Sequence, residues 1–426
     1  MRRCWAAAAA VLLYGWAFAR VRKLTPQQLT GRLKSAQTPN HLLFMVEDNA
    51  KVLNQYHVSA ALTFLAKENY TQVALSEDPG FRLLLRRTAE QLTTFRSQAL
   101  ATVLWSLARV EYDPGEPFLH SVIQASLGQL ETSAPQDLVN SLWACARFGY
   151  LPGDEFMQAL VHVCTSSLEL FEPMDVANLL WSFARLDFNP GEDFLQAVVQ
   201  RALQIADKFE PVDIANLLWA LAKLESSCGE QLRPLLQEAE AQVSRFEPAK
   251  LASLLWACNK LQLPPGLALL RALPCRSDNE LTELRPRGLS YVLWVYGLLG
   301  HNPGRTFLRR VMRKLSRSVP PFGYCGAQGL SGVLWACARF SFDPGDQQVF
   351  DLLDSARQQL QSFTPAQLTR LLWACAKLQR RPSGEFLQAW LETARLQLHL
   401  FEKEELLLSS RSCSKLGFIE GEELLR

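Results

Sequence analysis

Residues Asp213 to Leu224 read Asp-Ile-Ala-Asn-Leu-Leu-Trp-Ala-Leu-Ala-Lys-Leu, and near copies of this stretch recur along the chain. Successive copies are centred on tryptophans that lie 38, 38, 38, 37, 38, 41 and 38 residues apart. These tryptophans are Trp105, Trp143, Trp181, Trp219, Trp256, Trp294, Trp335 and Trp373. A repeat of nearly constant length in this range is typical of a solenoid, a stack of small units that each bury one face against the next.

Each repeat contains two predicted helices, for which residues 191–209 and 211–224 are the example. The second helix begins with a proline, which suits the first helical position because its φ is preset and its missing N–H needs no partner. A Pro-Gly pair, such as Pro190-Gly191, marks the turn that leads into the next repeat. The pattern predicts an all-α fold, a right-handed α-solenoid of about nine to ten antiparallel helix-hairpin repeats.

The second helix has a fixed apolar pattern. Positions five and one before the tryptophan, and five after it, are apolar in all eight copies, and a small residue usually follows the tryptophan by three, as Ala222 follows Trp219. Small residues allow neighbouring helices to approach closely. Because so apolar a helix usually belongs to the core, we expect the tryptophans to stack as a buried spine. Stacking of these rings on nucleic-acid bases is the alternative.

Degenerate copies flank the regular repeats. Residues Val58 to Lys67 lack the tryptophan, and Arg411 to Leu416 carries an arginine in its place. End units of a solenoid face water on one side, so their sequences differ from the rest. We therefore predict a presequence over 1–23, a degenerate capping repeat over 24–78, helical repeats over 79–401 and a capping helix over 402–426.

The N-terminus predicts organelle targeting. Two arginines are followed by an apolar run from Trp5 to Trp16 and by Ala17-Phe18-Ala19, which is the three-part form of a cleavable signal. No acidic residue precedes Glu47. The combination resembles the bipartite presequences of complex plastids, so a plastid is the expected destination and a mitochondrion the alternative. Secretion ranks third, because the ten cysteines show no disulfide-like arrangement.

Charge and cysteine content limit the function classes. The formal net charge is +2, and it becomes −3 without residues 1–23, which hold five of the 44 basic residues and none of the 42 acids. Because the chain as a whole has no excess of positive charge, a nucleic-acid role must rest on local basic patches.

Four cysteines lie two residues after a repeat tryptophan, where other copies carry Leu or Phe. This position predicts buried thiols: Cys145, Cys258, Cys337 and Cys375.

Motifs of catalysis are absent from the sequence. It contains no Gly-rich phosphate loop, no nucleophile elbow and no His-Glu-x-x-His motif, and its six histidines are scattered among the repeats. No cluster of cysteine and histidine has zinc-ligand spacing. We therefore predict a protein without enzymatic activity, cofactor or metal.

A basic residue stands four positions after nearly every repeat tryptophan. The series is Arg109, Arg147, Arg185, Lys223, Lys260, Arg339 and Lys377, with Leu298 as the exception. Three residues before the tryptophan come Asn140, Asn178 and Asn216. Positions seven apart share a helix face, so stacking would make a ladder of cations and amides that suits a phosphodiester backbone. The alternative is local: a cation in the last turn stabilises the helix end and covers apolar surface.

A second basic feature lies on the first helix between Trp294 and Trp335. No acid interrupts the stretch 305–317, which carries Arg305, Arg309, Arg310, Arg313, Lys314 and Arg317. Four of these arginines recur every fourth residue, where like charges repel, so a partner that neutralises them is expected. A solvated face paired with acids elsewhere is the alternative.

The stretch Phe-Glu-Pro-Val-Asp-Ile-Ala-Asn-Leu-Leu-Trp-Ala-Leu-Ala-Lys-Leu, repeated near every 38 residues, closely resembles the octotricopeptide repeat. The resemblance covers roughly Arg82 to Leu416, and related repeats occur in FAST-kinase-like organelle proteins. It implies an α-solenoid that binds single-stranded organellar RNA and acts in transcript stability, processing or translation. The organellar ribosome or an RNA-processing complex is a further expected partner. The RAP domain of many members is absent here, so no nuclease-like activity is implied.

A rival function from another class stays open at this point. The same stack of helices could bind a polypeptide, as a scaffold or as an assembly factor of an organellar ribosome or complex. The slightly negative net charge that remains when residues 1–23 are removed favours a polypeptide partner. The ladder of cations and the resemblance to the octotricopeptide repeat favour RNA. No membrane association is expected once the presequence is removed.

Overall fold

The structure is a computed structural model that describes residues 24–68 and 72–425. These residues form 24 α-helices and short 3-10 turns, with no strand among them, which confirms the predicted all-α repeat fold. None of the helices in the described ranges is both long and apolar enough to cross a membrane. The predicted presequence 1–23 lies outside the described residues. The chain divides into two compact units, residues 1–166 and 167–426.

Unit 1 contains the predicted N-terminal cap and the first regular repeats. Its helices are α1 (Pro26–Lys34), α2 (Pro39–Asp48), α3 (Gln55–Lys67), α4 (Gln72–Glu77), α5 (Pro79–Gln91), α6 (Ser97–Arg109), α7 (Glu116–Leu127), α8 (Pro135–Phe148) and α9 (Asp154–Ser167), which ends one residue past the unit boundary. The second helices form one layer, in which α1 packs on α3, α3 on α6 and α6 on α8. The segment predicted as one degenerate repeat therefore contains more than one hairpin.

Unit 2 continues the pattern with helices α10 to α24. Their bounds are α10 (Pro173–Arg185), α11 (Glu192–Gln204), α12 (Pro211–Lys223), α13 (Arg233–Ala241), α14 (Pro248–Lys260), α15 (Leu267–Ala272), α16 (Asp278–Glu283), α17 (Pro286–Leu299), α18 (Arg305–Ser316), α19 (Gly326–Arg339), α20 (Asp346–Arg357), α21 (Pro365–Leu378), α22 (Gly384–Leu396), α23 (Lys403–Leu416) and α24 (Ile419–Leu424). The second helices α10, α12, α14, α17, α19, α21 and α23 pack in that order.

Two irregularities expected from the sequence are present. The first helix of the repeat after Trp256 is broken into the short helices α15 and α16, around Pro274. A loop, not a helix, connects α18 to α19, and Phe322 is its buried anchor. At the C-terminus the predicted single capping helix is two helices, α23 and α24, with Gly417 at the turn between them.

The second helices of the regular repeats end in one common way. The residue six positions after each tryptophan has a positive φ, and the set is Glu111, Gly149, Asp187, Glu225, Gln262, Gly300, Ser341 and Gln379. The turn returns backbone N–H groups to the last carbonyls, as Tyr112 N donates to Leu107 O at 3.0 Å. Only two of the eight residues are glycine, so the other six carry the strain of a side chain in the left-handed region.

Polar side chains fasten each hairpin to the preceding one. The carbonyl of the phenylalanine that precedes a second helix accepts a hydrogen bond from the first helix or turn of the next repeat. The pairs are Gln129 to Phe95 at 2.9 Å, Arg201 to Phe171 at 3.0 and 3.1 Å, Gln242 to Phe209 at 2.9 Å and Arg276 to Phe246 at 2.8 Å. Because these carbonyls lie where repeats meet, the donors supply the partners that a buried carbonyl requires.

The predicted buried thiols are confirmed. Cys145, Cys337 and Cys375 are 0% exposed and Cys258 is 1% exposed. Burial raises the pKa of each of these thiols to about 12. All the cysteines in the described part of the chain are free, and Cys275 is the exposed member of that set.

Substituting Gly149 should show the cost of the positive-φ position. Gly149 has a φ of 69° and open space around it, so Gly149→Ala adds backbone strain and no clash. We expect unfolding free energy to fall by about 1 kcal/mol. Gly128→Ala is the control, because Gly128 is equally uncrowded but has a φ of −71°, and it should stabilise by about 0.5 kcal/mol. If Gly149→Ala and Gly128→Ala change the unfolding free energy equally in chemical denaturation, backbone strain at the positive-φ position is not the cause.

Thiol labelling should separate Cys275 from the buried thiols. A maleimide needs an accessible thiolate, so Cys275 should label in the native protein while Cys145, Cys258 and Cys375 react only after unfolding. Peptide mapping by mass spectrometry before and after denaturant measures this. Rapid native labelling of Cys258 or Cys375 would show that the repeats do not stack as described.

Candidate functional site

The repeat tryptophans are not a fully buried spine, which corrects the expectation from the sequence. All eight are only partly buried, while their apolar neighbours on the same helices, such as Leu218 beside Trp219, are fully buried. Trp294 and Trp335 each lie against a glycine of the neighbouring second helix, Gly332 and Gly297, so the side chain packs at the helix contact without being enclosed by it. The ring centroids of the consecutive Trp219 and Trp256 lie 6.4 Å apart.

The predicted cations and amides flank these tryptophans. Residues three before and four after the tryptophan lie on its face of the helix, and together the three positions form a surface that we call the second-helix ribbon. In unit 1 its members are Thr102, Trp105, Arg109, Asn140, Trp143 and Arg147. In unit 2 they are Asn178, Trp181, Arg185, Asn216, Trp219, Lys223, Ser253, Trp256, Lys260, Tyr291, Trp294, Leu298, Gly332, Trp335, Arg339, Arg370, Trp373 and Lys377. All seven predicted cations are exposed.

Two of the ribbon cations have an internal counterion. Arg147 Nη2 lies 3.2 Å from Glu111, and Lys223 Nζ lies 2.9 Å from Asp187. Glu111 and Asp187 each occupy the positive-φ position that ends the second helix of the preceding repeat. From there the carboxylate reaches the ribbon cation of the following repeat. Within its own unit, no described carboxylate forms an ion pair with Arg109, Arg185, Lys260, Arg339 or Lys377. These five cations are therefore free to meet an external anion.

Cations also cover tryptophan rings. The Arg147 guanidinium lies 5.8 Å from the centroid of Trp143, and Arg339 lies 5.5 Å from Trp335. Arg370, three residues before Trp373, lies 6.0 Å from the same Trp335 ring. Attraction between a cation and an indole face holds the side chains in place. The ribbon thus alternates positive charge with partly exposed aromatic surface.

The three predicted asparagines are placed on the ribbon but differ in their contacts. Asn140 and Asn178 make no side-chain hydrogen bond to the described residues, whereas Asn216 Oδ1 accepts one from Lys250 Nζ at 2.7 Å. Burial lowers the pKa of Lys250, and burial raises the pKa of the Asp213 carboxyl nearby. Asn216 therefore belongs to a partly buried polar cluster at the start of the second helices.

Unit 1 contains ribbon residues that the sequence pattern missed. Lys67 and Lys34 extend the exposed cations towards the N-terminus, on helices α3 and α1, which lack the tryptophan. Both line a groove of about 530 Å³ that also contains Tyr56, Phe64 and Arg96. Alignment of Val58–Lys67 with the regular second helix would have found Lys67. Arg370 could not be found in this way, because its position varies among the repeats and carries asparagine in three of the eight.

The basic first helix α18 divides into two sets. Arg310 Nε lies 2.7 Å from Asp278, and its Nη2 donates to Arg276 O at 2.7 Å. Lys314 Nζ donates to Asp278 O at 2.9 Å and to Thr282 Oγ1 at 2.6 Å. These two residues fasten α18 to the broken helix before it, as the alternative of pairing with acids elsewhere predicted.

The other four arginines of α18 stay exposed. Arg305, Arg309, Arg313 and Arg317 make no ion pair with any described residue, and they lie opposite the buried face of Phe307, Leu308, Val311, Met312 and Leu315. They therefore point away from the second-helix layer. One strand lying on the second-helix ribbon would not reach them, so the two basic features are separate surfaces.

Removing Arg310 should destabilise the protein, whereas removing Arg309 should not. Arg310 is 21% exposed and donates to backbone carbonyls of Arg276 and Pro274, which would lose their charged donor in Arg310→Ala. We expect a loss of about 2 kcal/mol in unfolding free energy. Arg309→Ala, one residue away and fully solvated, should change it by no more than about 0.5 kcal/mol. Equal melting temperatures for both variants would contradict the structural role of Arg310.

A cavity of about 810 Å³ lies between α20 and the turn into α22 in unit 2. Two of its arginines are paired with carboxylates: Arg357 with Asp354 at 2.8 Å, and Arg380 with Asp343 at 2.7 Å and with Asp346. Arg381 and Glu385 in its lining form no ion pair with the described residues. No group of histidine, cysteine and carboxylate in the described residues could hold a metal ion. The second-helix ribbon and the four exposed arginines of α18 are the charged surfaces left open to a partner, and the ribbon is the one that repeats along the second helices.

Two family models match parts of the sequence. Residues 49–231 match the RNA-editing substrate-binding complex 6 protein, and residues 268–410 match the N-terminal domain of the Tbc2 translation factor. Neither match reaches half of the chain. No curated protein matches it.

Solved structures with similar chains include the pentatricopeptide repeat protein PPR10 from maize, at 12% identity and a TM-score of 0.27, covering 98% of this chain and 74% of that one. A homology model of the AP-3 complex in an intermediate open conformation matches at 11% identity and a TM-score of 0.32, covering 99% and 93%. Both TM-scores are too low to show a shared overall fold. The chain is thus a stack of helical repeats with partial similarity to an RNA-editing complex protein and to a translation factor.

Proposed function

We propose that this chain is a non-catalytic, RNA-binding helical-repeat protein of the octotricopeptide type that acts on organellar transcripts after transcription. The second-helix ribbon carries the proposal, because it places a partly exposed tryptophan in each of eight repeats, a cation beside it in seven and an asparagine in three. Phosphates are bound mainly by Lys and Arg, and single-stranded bases stack on aromatic side chains. Duplex regions would be a poorer partner, because their bases are stacked on each other.

Two further observations support an RNA partner. Five of the seven predicted ribbon cations have no ion pair within their own unit, so binding of a polyanion would not have to displace a carboxylate first. The two family models that match the sequence describe an RNA-editing complex protein and a translation factor. Both descriptions concern the handling of transcripts, and we extend that role to this chain.

The place of action is proposed from the first 23 residues, whose form resembles a bipartite plastid presequence. The mitochondrion is the alternative destination. In either organelle the protein would cover a transcript segment or bring the ribosome or an RNA-processing complex to it. Transcript stability, processing and translation are all compatible with a binding surface that has no chemistry of its own.

A polypeptide partner is the second candidate. Several large apolar side chains are exposed near the C-terminus, among them Leu396, Leu400, Leu407 and Ile419. Exposed apolar groups of this kind often mark protein contacts. They follow Lys377, the last ribbon cation, along the chain, and would be compatible with a recruited protein beside a bound RNA.

The logarithm of the RNA affinity should fall linearly with the logarithm of the salt concentration, because binding to phosphates releases counterions. We call the gradient of this line the salt slope. We expect Lys377→Glu, on the second-helix ribbon, to lower affinity for single-stranded RNA and to reduce the salt slope by about 0.7. Filter binding over a salt series measures both quantities.

The control for Lys377→Glu is Arg395→Glu, which makes the same charge change at an exposed first-helix position without an ion pair. Arg395→Glu should leave the salt slope of RNA binding unchanged. Absence of RNA affinity for wild-type protein at low salt would rule out the proposed function, and equal losses in both variants would show that net charge, not the ribbon, attracts RNA.

A further inference from the structure

We infer that Arg339 and Arg370 form a phosphate-binding clamp at Trp335, which holds one backbone phosphate of the bound strand. This inference rests on the proposed function and specifies where on the ribbon the strand is gripped. Arg339 extends from α19 and Arg370 from α21, so the two guanidinium groups come from consecutive second helices. They lie 5.5 and 6.0 Å from the centroid of the same indole ring.

The clamp has no internal counterion. In earlier repeats, Glu111 and Asp187 at the positive-φ position pair with the next ribbon cation. At the corresponding position before Arg339 stands Gly300, and a Cβ built there would lie 3.3 Å from Arg339 Nη2. The carboxylate that neutralises Arg147 and Lys223 is thus missing at Arg339, whose guanidinium shares the Trp335 ring with that of Arg370.

Arg370 is a partly buried cation without an ion pair in the described residues. Burial lowers the pKa of its guanidinium, while the charge of Glu405 acts in the opposite direction. Glu405 is not within ion-pair distance, and its Oε2 already accepts a hydrogen bond from Glu402 N at 3.0 Å. A partly dehydrated guanidinium gains more from a phosphate than a solvated one does, because less water has to be removed on binding.

Two like charges on one ring repel each other, and the ring attracts each of them only weakly. An anion between them removes that repulsion. Guanidinium groups match the oxygens of phosphates and of carboxylates in a forked, two-bond geometry, and on the proposed function the anion is a backbone phosphate. The exposed edge of Trp335 then lies next to the bound phosphate, where a base or ribose of the same nucleotide can pack against it.

The test uses the full chain and a fluorescent pool of random-sequence single-stranded RNA, with affinities measured between about 50 and 200 mM salt. Arg339→Gln and Arg370→Gln should each lower affinity at low salt several-fold, and each should reduce the salt slope by up to about 0.7. Arg370→Lys should recover much of the slope but not the full affinity, because a lysine keeps the charge without the fork.

Arg395→Gln is the matched control, because Arg395 is an exposed arginine on the first helix α22, outside the second-helix ribbon, with no ion pair to the described residues. Its salt slope should match that of the wild type. Melting curves confirm that each variant is folded, and Arg339 is exposed enough for its substitution to be tolerated.

Four outcomes would overturn the clamp. If wild-type protein binds the RNA pool but Arg339→Gln and Arg370→Gln bind as well with an unchanged slope, the clamp is wrong and the proposed function stands. If Arg395→Gln loses as much as Arg339→Gln, net charge and not the clamp sets the affinity, and the clamp is wrong. If polyglutamate displaces the RNA as well as unlabelled RNA does, the site recognises negative charge in general and not phosphate. If the wild type does not bind the pool at low salt, the clamp and the proposed function fail together.

Discussion

Close packing of consecutive second helices is the constraint on which the rest of the structure depends. The interface needs small residues, and the tightest example is the contact of α17 with α19. A Cβ added at Gly297 would lie 2.5 Å from the Trp335 ring, and one added at Gly332 would lie 2.7 Å from Trp294 Cβ. Gly297 therefore leaves room for the Trp335 ring, and Gly332 lets α19 lie close against the Trp294 side chain.

That packing places tryptophans at the contact between second helices. The side chains of Trp294 and Trp335 lie against glycines of the neighbouring helix and stay partly exposed, whereas the leucines before them are fully buried. The residues three before and four after the ring lie on the same helix face. The ring therefore lies beside a cation in seven of the eight repeats and beside an asparagine in three.

Much of this architecture could be predicted from the sequence, because period, helix starts and buried positions follow local rules. Proline at the helix start and the apolar positions around Trp219 predicted the second helices, and Cys145 was predicted as buried from its place in the pattern. Contacts between repeats could not be predicted. Nothing in the order of residues shows that Asp187 reaches Lys223, or that Arg310 meets Asp278 while Arg309 stays free. The partial exposure of the tryptophans was missed for the same reason, since it depends on how near the next helix lies.

The positive-φ position couples backbone strain to the charge of the ribbon. Any residue there closes the second helix, but a side chain adds strain that glycine avoids. An acidic residue such as Asp187 offsets part of that strain through its ion pair with the next cation, and in doing so it neutralises one site on the ribbon. Glycine at Gly300 relieves the strain and leaves Arg339 unpaired. Glycine at this position therefore both suits the backbone and leaves the next cation available to a partner. An acid there neutralises the cation only where it reaches it, since Lys260 has no ion pair in its unit although Glu225 stands at the position before it.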